Sequence, residues 1–326
     1  MRVFVTGASG ALGSRLVPQL IEAGHEVIGS HVAPEKADLL RSLGARPVRL
    51  DVLDARAVHE AVVASEPEAI VHQATALANA KFGRSLDKSL AGTNVLRTKG
   101  TDALVAAARA AGVRRFVAQS FAPYRYIRQG GPIKTEDDPL DPAPPPHTEE
   151  TVAAMVHLED VVTGFGGVAL RYGAFYGAAN DGWAHLVRRR LFPIVGDGEG
   201  IIPFIHLEDA AAATVLALEH DGPGIYNIVD DDSAPMREWL PVLAQALGAK
   251  PPRHLPAWLA RVVAGEATVL MGTEARGASN AKAKRELGWE LRYPSWRNGF
   301  PATYSASSAT GVPTPQPAAR TSHSHG

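Results

Sequence analysis

The sequence predicts a doubly wound α/β fold: a mainly parallel sheet covered by helices on both faces. The first observation is a set of short runs rich in Val, Ile and Phe: MRVFVTG, HEVIGS, ARPVRLDV, EAIVHQA, RRFVAQS and GVALRYG. Each has strand length and turn residues at its ends, the mark of strands buried on both faces. The second is that helical periodicity fills the gaps between them, at 11–23, 35–43, 55–64, 92–111 and 149–163. Parallel neighbours need such crossovers, and the crossovers are right-handed. The third is a glycine-rich turn, TGASGALG, placed where the first strand meets the first helix.

The elements divide the chain into a dinucleotide-binding domain over 1–172 and, over 173–300, a smaller C-terminal substrate-binding lobe partly interleaved with the sheet. Prolines at 193, 203, 223, 235, 241, 251 and 252 punctuate shorter elements in that lobe. From Pro301 onward PATYSASSATGVPTPQPAARTSHSHG has almost nothing apolar to bury, so a disordered tail is expected over 301–326.

Composition narrows the class of function. Among 326 residues, 33 basic and 34 acidic side chains leave a net charge of −1, without the basic excess of a nucleic-acid partner. The chain enters a strand at Val3, and no uncharged apolar run approaches the ~18 residues of a spanning helix, so neither a leader nor a membrane anchor is expected. The absence of cysteine removes disulfides, thiolate catalysis and cysteine metal sites, and no His/Asp spacing suggests any metal. The expectation is a cytoplasmic monomer or homodimer acting on a small molecule.

In the turn, Gly7 permits the tight bend, Gly10 lets a pyrophosphate approach the backbone, and Gly13 lets the helix pack on the strand. Ser9, Ala11 and Leu12 complete the phosphate loop, whose helix end offers free N–H groups and a positive dipole. The second strand ends at His31 without the acidic residue that would bind the ribose hydroxyl of NAD. With Arg15, His31 and Lys36 within reach, the corner favours NADP, with NAD the alternative.

These residues resemble the extended and atypical short-chain dehydrogenase/reductases, the NAD-dependent epimerase/dehydratase family, over roughly 1–300. The resemblance rests on TGASGALG, LDVLD, HQATA, TNVLRTKGTDALV, LRYGAFYG, GDGEGIIPFIHLEDAA and SNAKAKRELGW in order. It implies a Rossmann fold and adds cofactor contacts from Asp51, Val52, Gln73, Ala74, Asn94, Tyr172 and Tyr176. It also implies a tyrosine that moves the substrate's hydroxyl proton, a lysine four residues later, and a serine or threonine after the fifth strand. Aligning Glu159 of HTEETVAAMVHLED with the glutamate that follows the family's lysine puts Thr151 at the tyrosine position and Met155 at the lysine position. A thioether carries no proton, and a threonine hydroxyl without a base is too weak an acid. The family's hydroxyl after the fifth strand falls nearer Phe121 than Ser120.

Substitutes are sought beyond the carboxyl ends of the strands, where open α/β sheets bind ligands. Tyr124, Tyr126 and Lys134 lie on the loop after the fifth strand, with Tyr124 the first choice as acid. Ser120 and His206 complete the catalytic candidates, while His157 points away from Met155 toward solvent or a neighbouring helix. Arg276, Asn280 and Lys282 are candidates for an anionic substrate, and Asp230–Asp232 reads as a turn with a helix-capping carboxylate. The leading reading is an NAD(P)-dependent oxidoreductase or epimerase-like enzyme for a small hydroxyl or carbonyl compound. The alternatives are a dinucleotide-binding redox sensor, similar in logic to the NmrA-like proteins, and a non-redox isomerase or lyase.

Overall fold

The computed structural model describes residues 1–80, 83–123, 126–178 and 182–305. Seven strands build one sheet: β1 (Arg2–Thr6), β2 (Glu26–His31), β3 (Arg46–Arg49), β4 (Ala69–His72), β5 (Arg115–Phe121), β6 (Val168–Tyr172) and β7 (Gly224–Ile228). Their spatial order is β7-β6-β5-β4-β1-β2-β3, and every neighbouring pair is parallel. The order reverses between β1 and β4, the crevice where a doubly wound sheet takes its ligand.

Alternation along β1 shows how the sheet is covered. Val3 and Val5 pack with the helices α1 (Gly13–Glu22) and Leu207–Glu219, whereas Phe4 faces α3 (Ala55–Ser65) and α5 (Thr101–Ala110). The remaining early helices are α2 (Lys36–Ser42), α4 (Leu86–Val95) and α6 (Glu149–Phe165). The helix expected from Gly92 starts six residues earlier, at Leu86, because the Ser85 side chain accepts the Lys88 N–H and caps it. It then runs through a π turn at Leu96–Gly100 directly into α5.

The second half adds a separate apolar cluster around Phe204, Trp239, Trp296 and Phe300, with β7 returning to the main sheet. The tail boundary moves: Pro301–Ser305 form a π turn with Tyr304 buried, since its ring packs 6.2 Å from Phe300. Residues 306–326 of the expected tail lie outside the described residues. The acidic run does cap a helix, but a distant one. Asp230 Oδ2 accepts the Trp296 N–H, and Asp232 receives Ser295 Oγ and Arg297 Nε. Asp209 likewise accepts the N–H groups of Arg292 and Tyr293, so buried carboxylates pin the C-terminal segment to the body.

A buried ion pair ties α6 to the sheet. Arg171, the one charge in the apolar strand VALRY, donates Nε and Nη2 to Glu159 of α6 at 3.0 and 2.8 Å, with side chains only 5% and 3% exposed. Burial disfavours the charge on this guanidinium, but the Glu159 carboxylate beside it, and then Tyr126, raise its pKa and keep it firmly charged. Glu159→Ala strands that charge and is expected to cost ~3–5 kcal/mol, whereas joint replacement by Glu159→Leu and Arg171→Met recovers most of the loss. Chemical denaturation of the single and double variants checks this.

Candidate active site

The phosphate turn is shaped by three close approaches. Gly7 has φ +71°, and a Cβ there would stand 2.5 Å from the Gln73 carbonyl oxygen, so β1 and β4 meet only because the side chain is missing. A Cβ on Gly13 would lie 2.3 Å from the Gly7 carbonyl, which is what lets α1 start so near the strand. At Gly10 the only neighbour is the Gly7 carbonyl at 3.1 Å, and Gly10 and Ala11 are exposed, so the outer side is open for a phosphate. The first turn of α1 has neither a side-chain cap nor an acidic residue to oppose its positive end, although the Ser14, Arg15 and Leu16 N–H groups already donate to the Gly10 and Leu12 carbonyls. Ser9 sits on the rim and Leu12 is in the core, where its side chain anchors the turn. The residues fit a dinucleotide.

The other expected cofactor positions gather along the same carboxyl edge. His31 ends β2, and its Nδ1 donates to the acceptor-only Ala33 carbonyl at 2.9 Å. Lys36 is exposed nearby, but Arg15 is drawn away, its Nε 3.4 Å from Glu208. Asp51 lies exposed just past β3, accepting the Leu53 N–H, with Val52 buried beneath it. Gln73 and Ala74 follow β4; Gln73 donates Nε2 to the Tyr172 hydroxyl at 3.3 Å, and its buried Oε1 has no partner among the described residues. Tyr172 itself is fully buried, with its hydroxyl 2.6 Å from Thr214 Oγ1 and its pKa raised by burial. Its side chain lies buried within the fold between Thr214 and Gln73.

Thr151 and Met155, the two positions that the resemblance aligns with the family's tyrosine and lysine, lie on the inner side of α6. The Thr151 hydroxyl donates to Asp87 Oδ1 at 2.8 Å and accepts Asn94 Nδ2 at 3.0 Å, while the Thr151 N–H donates to the same carboxylate oxygen. Its one proton is therefore engaged, and Asp87 acts as the cap that α6 lacks, since Thr148 at its start makes no capping bond. Met155 is buried on the same helix. Asn94 Oδ1 is buried and without a partner among the described residues. Sequence reasoning missed Asp87, for which no local pattern exists.

The remaining candidates separate into structural roles. Ser120 is fully buried and donates to Glu159 Oε1 at 2.6 Å; it faces α6, not the cleft, because it falls on the same side of β5 as Phe116 and Ala118. Tyr124 lies outside the described residues. Tyr126 accepts Arg171 Nη1 at 3.0 Å and donates to Asn227 at 2.7 Å. Lys134 is buried and bonded to the Gln129 carbonyl and Asp138. His157 contacts Asp102 of α5 at 2.8 Å, on the outer face as expected. His206 caps the helix Leu207–Glu219: its Nδ1 accepts the Glu208 N–H at 3.1 Å, and its ring stacks 3.9 Å from Tyr293. Burial, then Arg15 and Arg292, lower its pKa to about 4, so it is neutral at pH 7. Tyr176 is buried between His206 and Phe300, each 5.0 Å away, and burial followed by Asp230 raises its pKa. Asn280 donates to Val229 and Asp231, and Lys282 to the Ile225 carbonyl.

The chain matches the NAD dependent epimerase/dehydratase family over residues 3–229. It is 43% identical to a 3-diazoavenalumate denitrifying reductase of a Streptomyces species over 312 residues, covering 92% of this chain and 99% of that one. It is 31% identical to a 2-alkyl-3-oxoalkanoate reductase of Stenotrophomonas maltophilia over 267 residues, 76% of each. Its fold superposes on a UDP-glucose 4-epimerase of Thermus thermophilus solved with NAD, at a TM-score of 0.72 and 24% identity over 96% of this chain and 100% of that one.

His206 gives a pH test. The unfolded chain binds its proton near pH 6.5 and the folded chain only near 4, so stability falls as pH drops through that window. His206→Asn retains a capping acceptor that does not titrate. The midpoint of urea unfolding is expected to fall less between pH 7 and pH 4.5 in this variant than in the parent, with His72 common to both.

Proposed function

The chain belongs to the NAD dependent epimerase/dehydratase family, and on that premise we propose that it is a reductase working without a Tyr/Lys proton relay, on a substrate that needs a hydride but no enzymic proton. The enzyme assignment follows from the family and its named reductases. The observation that carries the finer reading is the Thr151 hydroxyl, held between Asp87 and Asn94, with the Met155 thioether one turn on. A carboxylate bearing a diazo group, as named for the Streptomyces relative, belongs to the substrate class such a site suits.

The balance of the reaction explains why. A dinucleotide held at the TGASGALG turn by the backbone around Gly7, Gly10 and Gly13 would supply a hydride. In the diazonium form of the substrate one C–H bond forms and one C–N bond breaks, neutral N₂ leaves with the C–N electron pair, and the charges of cation and hydride cancel. No proton has to be placed, so a general acid, ordinarily worth ~10²–10⁴-fold, has no step to serve. The chain's own part is to bind, to orient and to exclude water, for which buried Met155 and the closed Thr151 hydroxyl are suited. Epimerisation is less compatible, because a hydroxyl proton must be removed and returned, and neither Thr151 nor Met155 offers a base. At the ribose corner His31 and Lys36 serve either dinucleotide, and without Arg15 the preference for NADP rests on those two side chains.

Thr151→Val, Met155→Leu and Tyr124→Phe are each expected to keep turnover of an arenediazonium carboxylate within about tenfold of the parent, well short of the loss of a working acid. Thr151→Val should lower stability by ~1–3 kcal/mol through Asp87 and Asn94. N₂ released should equal reduced cofactor consumed. A loss of a hundredfold or more in Thr151→Val or Tyr124→Phe would assign that residue a proton-transfer role instead.

A further inference from the structure

The helix Ala257–Ala264, AWLARVVA, carries a single polar side chain, Arg261, yet only one of its faces is covered. Ala260, fully buried, and Ala257 pack with Val195 and Val269. At about 100° per residue, Trp258 and Val262 point away from Ala260, and Val263 lies on the flank. These three side chains are 66%, 59% and 58% exposed. A helix this apolar is normally buried, and a contiguous exposed face of Trp and Val marks a surface that docks on something.

The surroundings of this face are strongly basic. The helix lies in 239–265, a stretch without Asp or Glu that contains Lys250, Arg253 and Arg261; the stretch 184–196, equally free of acids, contains Arg188, Arg189 and Arg190. Strand pairing brings the two together: His254 and Leu255 align with Ile194 and Val195, and the Ile194 N–H donates to the Arg253 carbonyl at 2.8 Å. Six positive charges thus gather in a chain whose net charge is −1. Glu266 pairs with Arg261, but among the described residues no carboxylate lies within ion-pair distance of the other five. Arg188, Arg189, Lys250 and Arg253 are exposed, as is Leu191.

We propose that this face docks on a membrane surface carrying anionic lipids, with Trp258, Val262 and Val263 entering the interface and the unpaired cations meeting phosphate head groups. Charge complementarity selects this occupant. A second copy seated through a two-fold contact would set the same basic stretches against each other, with no acid in either to offset them. An apolar helix face that includes a tryptophan and is flanked by Lys and Arg is instead the pattern of a helix lying in the interfacial plane. Among the described residues no helix is long and apolar enough to cross a bilayer, so the contact is peripheral. None of these side chains belongs to the glycine turn or to α6, so docking and the reductive reading stand or fall separately.

The test is co-sedimentation of the full-length protein with vesicles of phosphatidylcholine alone and of phosphatidylcholine mixed equally with phosphatidylglycerol. Binding to the mixed vesicles is expected to be at least about tenfold tighter, and to weaken as salt is raised. Lys250→Gln with Arg253→Gln should weaken it on the order of 20-fold, about fivefold for each charge near the surface. Trp258→Ser with Val262→Ser should weaken it about tenfold or more. Trp258→Phe should keep binding but lose the blue shift of tryptophan emission on docking. The substituted side chains are exposed, so melting temperature and NADPH affinity should match the parent in every variant. Equal binding to both vesicle types, or parental binding in both double variants, would overturn the proposal. So would binding to neither vesicle: a dimer that Trp258→Ser with Val262→Ser dissociates would then assign the face to a second copy, and retention of the parent on immobilised polyglutamate would assign it to an acidic protein.

Discussion

The site depends on the pair between Glu159 and Arg171. It joins α6, which carries Thr151 and Met155, to β6, and through Tyr126 it also reaches the loop after β5. Removing two charges from water is expensive, and a buried pair of this kind adds little net stability over an apolar replacement. Its contribution is position. Ser120, a catalytic candidate by sequence, is drawn into the same network through Glu159 Oε1, which takes its hydroxyl out of the cleft.

The cofactor half and the C-terminal half are built on different physics. At the sheet edge the determinants are absences: no Cβ at Gly7, Gly10 or Gly13, and no cap on α1, so that backbone dipoles and open space receive the phosphates. The C-terminal half is held by buried carboxylates accepting backbone N–H groups across long sequence distances, Asp209 to Arg292 and Tyr293, Asp230 to Trp296. Burial raises the pKa of both aspartates, so this clamp gives up part of its charge advantage in exchange for fixed geometry. The result is a C-terminal segment fixed to the body of the fold by carboxylates that accept backbone N–H groups.

Much of the architecture is legible in the amino-acid sequence. The strands, the crossovers and the glycine turn follow from period and punctuation, and all six expected strands fall where the sheet places them. Individual side-chain roles are less readable, because they depend on partners far along the chain. Tyr172 has the position of a cofactor contact, but it lies inside the sheet with Thr214 and Gln73. His206 has the residue type of a proton shuttle, yet the Glu208 N–H converts it into a helix cap. Asp87 leaves no trace in the sequence, since nothing local links it to Thr151, 64 residues away. Arg171 does leave one, a lone charge in a buried strand, which requires an opposite charge across the fold.

Hydride transfer without proton transfer is best examined by paired isotope effects on reduction of an arenediazonium carboxylate. Deuterium at the transferable position of the reduced cofactor is expected to slow the chemical step, while D₂O leaves the rate unchanged and the pH profile stays flat near neutrality. A substantial solvent isotope effect together with a bell-shaped profile would contradict this, because both require an acid or base acting in the transition state.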